Sequence, residues 1–323
     1  MSKKVYITRN IPEIGIKKLI DAGFEVDINK KPRSLTKKEL IKILRKNPYD
    51  AVLTQLTDIV DVEVFEASPN TKIFANFAIG FNNFDIEEAK KRNIYLTNTP
   101  GGGADRVAEH TWALILALTC RVVEGDSFIR KGGFTGFDPM LLQGEHLEGK
   151  TLGLIGTGRI GADVARKAKA FGMNVIYYDI KRNEMLDNDH GALLSTIDGV
   201  LKNADVVSLH VPLSKETTHL INVERLARMK SSSYLINTSR GPVIDEQALF
   251  EALRNRVIRG AGLDVFEFEP KIVKGLEKLP NVVLTPHIAS SSRDSRDFMS
   301  LRACENIIQA LNGCKPTDNV YNI

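Results

Sequence analysis

Over the first hundred residues, short β-branched and aromatic runs alternate with polar stretches whose apolar residues recur at helical spacing. Val5–Thr8, Glu25–Ile28, Ala51–Thr54, Ile73–Ala75 and Ile94–Thr97 read as strands, with helices near Glu13–Ala22, Thr36–Lys46, Val62–Ala67 and Asp85–Arg92 between them. Thr36 followed by Glu39 is a capping box, which satisfies two orphan amides at a helix start. Strict alternation of strand and helix predicts a parallel sheet with covering helices.

The alternation stops at Asn98-Thr99-Pro100-Gly101-Gly102-Gly103, which reads as a linker or hinge. A long helix is expected from about Asp105 to Arg130, with a nearly all-apolar middle suited to burial on several sides or to a subunit interface. Gly132–Gly149 has no period and carries Phe134, Phe137 and Met140; a loop of that length is usually functional or interfacial. A second series then begins, with strands at Thr151–Ile155, Asn174–Tyr178, Val206–His210, Tyr234–Asn237, Gly260–Leu263 and Val282–Leu284. A final helix, about Arg293–Leu311, is stopped by Gly313 and Pro316. Trp112 is expected in the core or in a dimer interface.

The length of 323 residues and 43% apolar content exclude disorder and favour two domains. The 44 basic against 40 acidic residues leave +4, too little for an electrostatic nucleic-acid footprint. Lys30, Lys31, Arg33, Lys37 and Lys38 read as a solvated helix face. Cys120, Cys304 and Cys314 are odd in number and far apart, and the six histidines lack zinc-ligand spacing, so neither a disulfide framework nor a metal site is expected. Ser2-Lys3-Lys4 runs directly into the first strand without a signal-like apolar region, and the apolar run around Trp112–Leu118 falls short of the ~20 residues of a membrane span. A cytoplasmic, non-membrane protein is expected.

Thr151–Ile155 leads into Gly156-Thr157-Gly158-Arg159-Ile160-Gly161, and Ile160, Val164, Ala165, Ala168 and Phe171 continue at helical spacing to Gly172 as C-cap. Asp179 ends the next strand. Glycine turn, helix amino terminus and acid after the second strand form a dinucleotide fingerprint. Gly156 allows the turn, Gly158 lets the backbone approach a pyrophosphate, and Gly161 permits close helix packing. Asp179 would accept from ribose hydroxyls and repel a 2′-phosphate, which favours NAD over NADP.

Transfer of a hydride to a small 2-keto acid needs a cation for the carboxylate and carbonyl, an acid/base near neutral pH, and a group to orient that base. Three polar segments follow predicted strands: Thr238-Ser239-Arg240-Gly241, Asp264–Pro270 and Thr285–Ala289. Glu267 and Glu269 compete for one orienting role.

From Val5 to the last helix the chain resembles the D-isomer-specific 2-hydroxyacid dehydrogenases. The resemblance rests on the Gly156–Gly161 fingerprint, Leu209-His210-Val211-Pro212-Leu213, Asn237–Pro242, Leu263–Pro270 and Pro286-His287-Ile288-Ala289. Within the family, Asn76–Asp85, Ala51–Asp58 and Phe134–Phe137 look most like glyoxylate and hydroxypyruvate reductases, although Phe137 stands where those often carry Trp.

The resemblance implies an α/β fold of two Rossmann-like or flavodoxin-like parallel-sheet domains with an active-site cleft between them. Residues 1–99 and 289–323 would bind substrate and 100–288 would bind NAD. Arg240 would grip the substrate, His287 would be the acid/base, and Glu269 would orient it. Ile79 and Gly80 would hold the carboxylate through their amides. Gly156, Gly158, Arg159, Ile160, Gly161, Asp179, His210, Pro212, Thr238, Asp264 and Ala289 would contact the cofactor, Asp264 from the nicotinamide side. His110, His146, His190 and His219 are given no chemistry. A homodimer through helix 105–130 and loop 132–149 is implied.

Leu53-Thr54-Gln55-Leu56-Thr57 offers no cation for a substrate phosphate, which favours glyoxylate or hydroxypyruvate over phosphoglycerate. D-lactate, formate or phosphite as substrate, and an NAD-sensing corepressor-like binding role, remain the alternative readings.

Overall fold

The computed structural model describes residues 2–321. Its elements in chain order are β1 (Lys4–Ile7), α1 (Glu13–Asp21), β2 (Glu25–Ile28), α2 (Lys37–Lys46), β3 (Ala51–Thr54), α3 (Val62–Ala67), β4 (Ile73–Asn76), α4 (Ile86–Lys91) and β5 (Tyr95–Thr97). They continue with α5 (Ala104–Thr119), α6 (Val122–Arg130), β6 (Thr151–Ile155), α7 (Arg159–Ala168), β7 (Asn174–Tyr178), α8 (Glu184–His190), β8 (Leu193–Leu194), α9 (Ile197–Asn203) and β9 (Val206–Leu209). The last are α10 (Val223–Leu226), β10 (Tyr234–Asn237), α11 (Glu246–Arg254), β11 (Gly260–Leu263), β12 (Val282–Leu284) and α12 (Arg293–Leu311). One compact unit comprises the chain up to Gly103 and from Ser291 onward, and the other is Ala104–Ser290.

The first unit is a five-stranded parallel sheet in the order β2-β1-β3-β4-β5, the doubly wound order of flavodoxin-like folds. Its central strands are buried on both faces, so each alternates between two cores. Val52 and Phe74 meet Leu40, Leu44 and Phe65 on one side, while Leu53 and Ala75 meet Leu19, Met299 and Ile307 on the other. α1 and α12 cross so closely that a Cβ at Gly15 would lie 2.5 Å from the Ser300 carbonyl oxygen. The Thr36–Glu39 capping box is present at α2. Leu40 and Leu44 are its buried face, and Lys30, Lys31 and Arg33 precede the helix rather than sharing a face of it.

The second unit is a seven-stranded parallel sheet in the order β12-β11-β10-β9-β6-β7-β8. The order reverses between β6 and β9, and in such sheets ligands bind outside the carboxyl ends at that switch. Trp112 belongs to this core: its ring stacks on Phe171 with centroids 4.4 Å apart, and its Nε1 donates to the Val164 carbonyl at 3.2 Å.

The expected single helix from Asp105 to Arg130 is two helices. Arg121 takes a left-handed conformation (φ 55°) between α5 and α6. The amide of Glu145 donates to the Thr119 carbonyl at 2.9 Å, and a Cβ at Gly144 would lie 2.2 Å from that oxygen. A distant loop thus caps α5 where no glycine or proline marks the end. α6 has no buried residue, and Val122, Ile129, Phe134, Phe137 and Met140 are exposed.

The chain leaves the first unit after Gly103 because the expected hinge glycines pack on α12; a Cβ at Gly102 would meet Met299 Cγ at 2.7 Å. It returns after Ser290 because the Ala289 amide is held within the second unit.

Candidate active site

Three glycines open α7, each in a different setting. Gly156 has φ +96°, and a Cβ there would lie 2.7 Å from the carbonyl carbon and oxygen of His210, at the exit of β9. A Cβ on Gly161 would lie 2.2 Å from the Gly156 carbonyl oxygen. These two glycines are required by the protein itself. Gly158 is not: its φ is −63°, and a Cβ there meets nothing within 4 Å. Gly158 is the N-cap of a ten-residue helix, whose first amides suit a phosphate. This setting fits a dinucleotide pyrophosphate.

Arg159 and Ile160 begin α7, with Arg159 exposed. At the exit of β7, Asp179 Oδ2 accepts from the Thr157 amide at 2.6 Å and its hydroxyl at 2.9 Å. Burial would raise the Asp179 carboxyl, but these bonds hold it below the usual range. The neighbouring Arg182 side chain is paired with Asp187. After β9, His210 bonds Ser208 at 2.9 Å, and burial pushes its imidazole down to about 3; Pro212 is exposed in the same loop.

The exits of β10, β11 and β12 form a second constellation. Asn237 organises the first: its Nδ2 donates to the Arg240 carbonyl at 2.9 Å and its Oδ1 accepts from the Ser239 amide at 3.0 Å. Arg240 Nη1 donates to the Ser239 carbonyl at 2.6 Å. Burial lowers the Arg240 pKa, against the attraction of Glu269, yet a guanidinium starts so high that it stays charged. Thr238 shares a 2.9 Å hydroxyl contact with Thr111 of α5.

Gly241 sets the distance to the next loop. A Cβ there would lie 1.9 Å from the backbone carbon and oxygen of Phe266 and 2.5 Å from the Glu267 amide nitrogen. Only a glycine lets the Arg240 loop lie against the loop bearing Glu269.

The two glutamates of that loop serve different histidines. Glu267 Oε1 meets His219 Nε2 at 2.7 Å, and its other oxygen accepts from the Glu246 amide at 3.0 Å. Glu269 Oε2 meets His287 Nδ1 at 2.9 Å, and its Oε1 accepts from the Phe266 amide at 3.0 Å. Burial would raise the Glu269 carboxyl, but the His287 bond and charge, the Phe266 amide and Arg240 hold it below the usual range. An ionised carboxylate only accepts, so Nδ1 carries a hydrogen and Nε2 is the nitrogen able to gain or lose a proton.

His287 sits at φ 54°, a conformation costing of order 1–3 kcal/mol for a non-glycine residue. Asp264 enforces it. Its carbonyl accepts from the His287 amide at 2.8 Å, its Oδ1 from the Ile288 amide at 2.9 Å and the Thr285 hydroxyl at 2.6 Å, and its Oδ2 from the Ala289 amide at 2.8 Å. Its residue is fully buried. Burial would raise this carboxyl, but the bonds from His110, Thr285, Ile288 and Ala289 keep it low. The Asp264 carboxylate, expected to reach a nicotinamide, therefore serves first as a clamp on the acid/base loop.

His110 was given no chemistry by its sequence, yet its Nε2 lies 2.9 Å from Thr285 Oγ1. The Thr285 hydrogen goes to Asp264, so His110 Nε2 must be the donor. The signal was the helix position of His110 facing the sheet. Ile79 and Gly80 follow β4 in the other unit. Their carbonyls accept from Asn98 at 2.6 Å and Asn76 at 2.9 Å, and among the described residues neither amide donates. The second unit thus gathers Arg240, Glu269 and His287 on three successive strand exits, while the glycine turn lies at the switch point.

A family model described as D-isomer specific 2-hydroxyacid dehydrogenase, NAD binding domain, matches residues 112–289. The chain belongs to this oxidoreductase family and carries its nicotinamide-cofactor domain. It is 45% identical over 322 residues to a glyoxylate reductase of Korarchaeum cryptofilum, covering 99% of this chain and 96% of that one. Among solved structures it is similar to the TT0316 protein of Thermus thermophilus (TM-score 0.92, 39% identity, 98% and 100% of the two chains). It is also similar to D-lactate dehydrogenase of Aquifex aeolicus complexed with NAD and lactic acid (TM-score 0.83, 32% identity, 96% of each chain).

Proposed function

We propose that this chain reduces a small 2-keto acid, glyoxylate or hydroxypyruvate, to the D-2-hydroxy acid with NADH. The observation that carries the reading is the 2.9 Å pair of His287 and Glu269, set by strand exits beside that of Arg240. A reduced nicotinamide, when bound, supplies the hydride that C2 of the keto acid receives. Arg240 grips the carboxylate and polarises the C2 oxygen. As charge develops on that oxygen, His287 Nε2 donates the proton that completes the hydroxyl. Glu269 holds the ring by Nδ1, which leaves Nε2 for the transfer. Thr238 and the remaining capacity of Asp264 Oδ2 would meet the nicotinamide, with Ala289 beside them.

Gly156, Gly158, Arg159, Ile160 and Gly161 would hold the pyrophosphate, and His210 and Pro212 would line the nucleotide. Asp179 supports NAD over NADP: its ionised carboxylate would repel a 2′-phosphate, and the nearby Arg182 is committed to Asp187. No cation lies among residues 53–57, which disfavours a phosphorylated substrate. The apolar surface of α6 and loop 132–149 would be covered by a second copy in a homodimer. The exposed free thiols Cys120 and Cys314 suit a reducing cytoplasm.

The test is NADH oxidation with glyoxylate, hydroxypyruvate and pyruvate, with NADPH in parallel. Turnover on none of them overturns the reading. His287→Ala should lower kcat by at least ~10²-fold while leaving NADH affinity intact; an unchanged kcat removes the residue from its role.

A further inference from the structure

Among the described residues Glu246 is the only buried glutamate, and the reaction proposed above makes no use of it. It is the first residue of α11, and backbone faces its two oxygens. Oε2 accepts from the Glu267 amide and Oε1 from the Val273 amide, both at 2.6 Å. The Glu246 amide in turn donates to Glu267 Oε2 at 3.0 Å, while Glu267 Oε1 meets His219 Nε2 at 2.7 Å. His219 is tied to the loop of Arg240, because its amide donates to the Pro242 carbonyl at 2.8 Å.

Glu269 stands on the arch between those two amides. Residues 268–271 are exposed, so core packing does not fix them. Within the arch the Lys271 amide donates to the Phe268 carbonyl at 2.9 Å, which closes the turn without attaching it to the rest of the unit. An exposed turn of this kind takes its position from its two ends. One side chain, Glu246, holds both. The first end also adjoins Phe266, whose amide donates to Glu269 Oε1 at 3.0 Å.

We propose that Glu246 is a positioning residue that acts on the reaction through Glu269. By fixing both ends of the segment 267–273 it sets the Glu269 carboxylate against His287 Nδ1. The inference rests on the acid/base reading above and adds to it the group that orients the orienting carboxylate. Asp264 clamps the histidine side of the pair, and Glu246 clamps the glutamate side.

Glu246→Gln keeps the shape but has one acceptor oxygen, so its NH2 confronts one of the two backbone amides, donor against donor. With one end of the arch released, kcat for glyoxylate or hydroxypyruvate should fall about 10-fold, while KM and the Kd for NADH stay within about two-fold. Glu246→Asp keeps both oxygens on a shorter stem that reaches one end only, and should show the same selective loss. Made on a Glu269→Gln background, Glu246→Gln should lower kcat by less than about two-fold further, because its route to the reaction is already cut. An unchanged kcat in the single variants, the full loss repeated on the Glu269→Gln background, a parallel loss of NADH affinity, or failure of both single variants to fold overturns the proposal. Absence of turnover by the unmodified protein, or an undiminished rate in Glu269→Gln alone, overturns instead the reading beneath it.

Discussion

Replacing Gly158 by alanine separates the protein's own need for its glycines from the need of a ligand. At φ −63° and ψ −168° alanine is conformationally allowed, and its Cβ meets no protein atom within 4 Å. Two small effects on stability oppose each other. Reduced freedom of the unfolded chain stabilises by about 0.4–1 kcal/mol. Alanine in place of glycine at a helix N-cap costs a similar amount, about 0.5–1 kcal/mol. Their sum lies within about 1 kcal/mol of zero, so Tm should move by no more than roughly 2–4 °C for a unit of this size. The methyl group nevertheless stands at the N-cap of α7, where a phosphate on the first amides would have to approach. A phosphate pushed from those donors loses at least one charge-assisted hydrogen bond, about 1.5–3 kcal/mol, which is roughly 10- to 100-fold in Kd. Thermal melting and a fluorescence titration with NADH measure the two quantities on one sample. Unchanged NADH affinity, or a Tm fall well beyond this range, would refute the reasoning. Gly161→Ala is the contrast, since its Cβ would lie 2.2 Å from a backbone oxygen and must cost stability as well.

Two further outcomes are expected. Gly241→Ala forces the Arg240 and Glu269 loops apart from a 1.9 Å clash, and a displacement of about 1 Å should lower kcat/KM by about 10²-fold with little change in NADH Kd; a parallel loss of both, read by kinetics and titration, would contradict it. Asp179, Asp205, Asp264 and Glu269 all have carboxyls held below their ordinary range by the folded state. Their contribution to stability is complete above the unfolded values, about 4, and is lost as pH falls through the lower folded ones. Tm should therefore hold from pH 7 to about 5 and drop on further acidification, less steeply for Asp264→Asn; a Tm that rises in acid would exclude it.

The strands were legible because a strand buried on both faces of a parallel sheet is mostly apolar without alternation, as in Val206–Leu209 and Tyr234–Asn237. The two-residue β8 at the sheet edge carries no such signal. The break at Arg121 was hidden because its cause, the Glu145 amide on the Thr119 carbonyl, comes from a loop more than twenty residues away. Polar residues after buried strands pointed to Arg240, Glu269 and His287, but spacing alone could not divide the two glutamates between His219 and His287. Nor could it show the Asp264 carboxylate turned inward, since three of its partners lie on the segment 285–289 and the fourth on α5.

The strand order of the second sheet also works as a ruler. β7, which ends just before Asp179, and β12, which ends before His287, stand five strand spacings apart, about 24 Å at roughly 4.8 Å each. Whatever touches both exits must be long and two-headed. Its far head can then be recognised by one set of strands while its near head is left free to react at another. The recognition end can change, by substitutions around Asp179, without disturbing a single group on β10, β11 or β12.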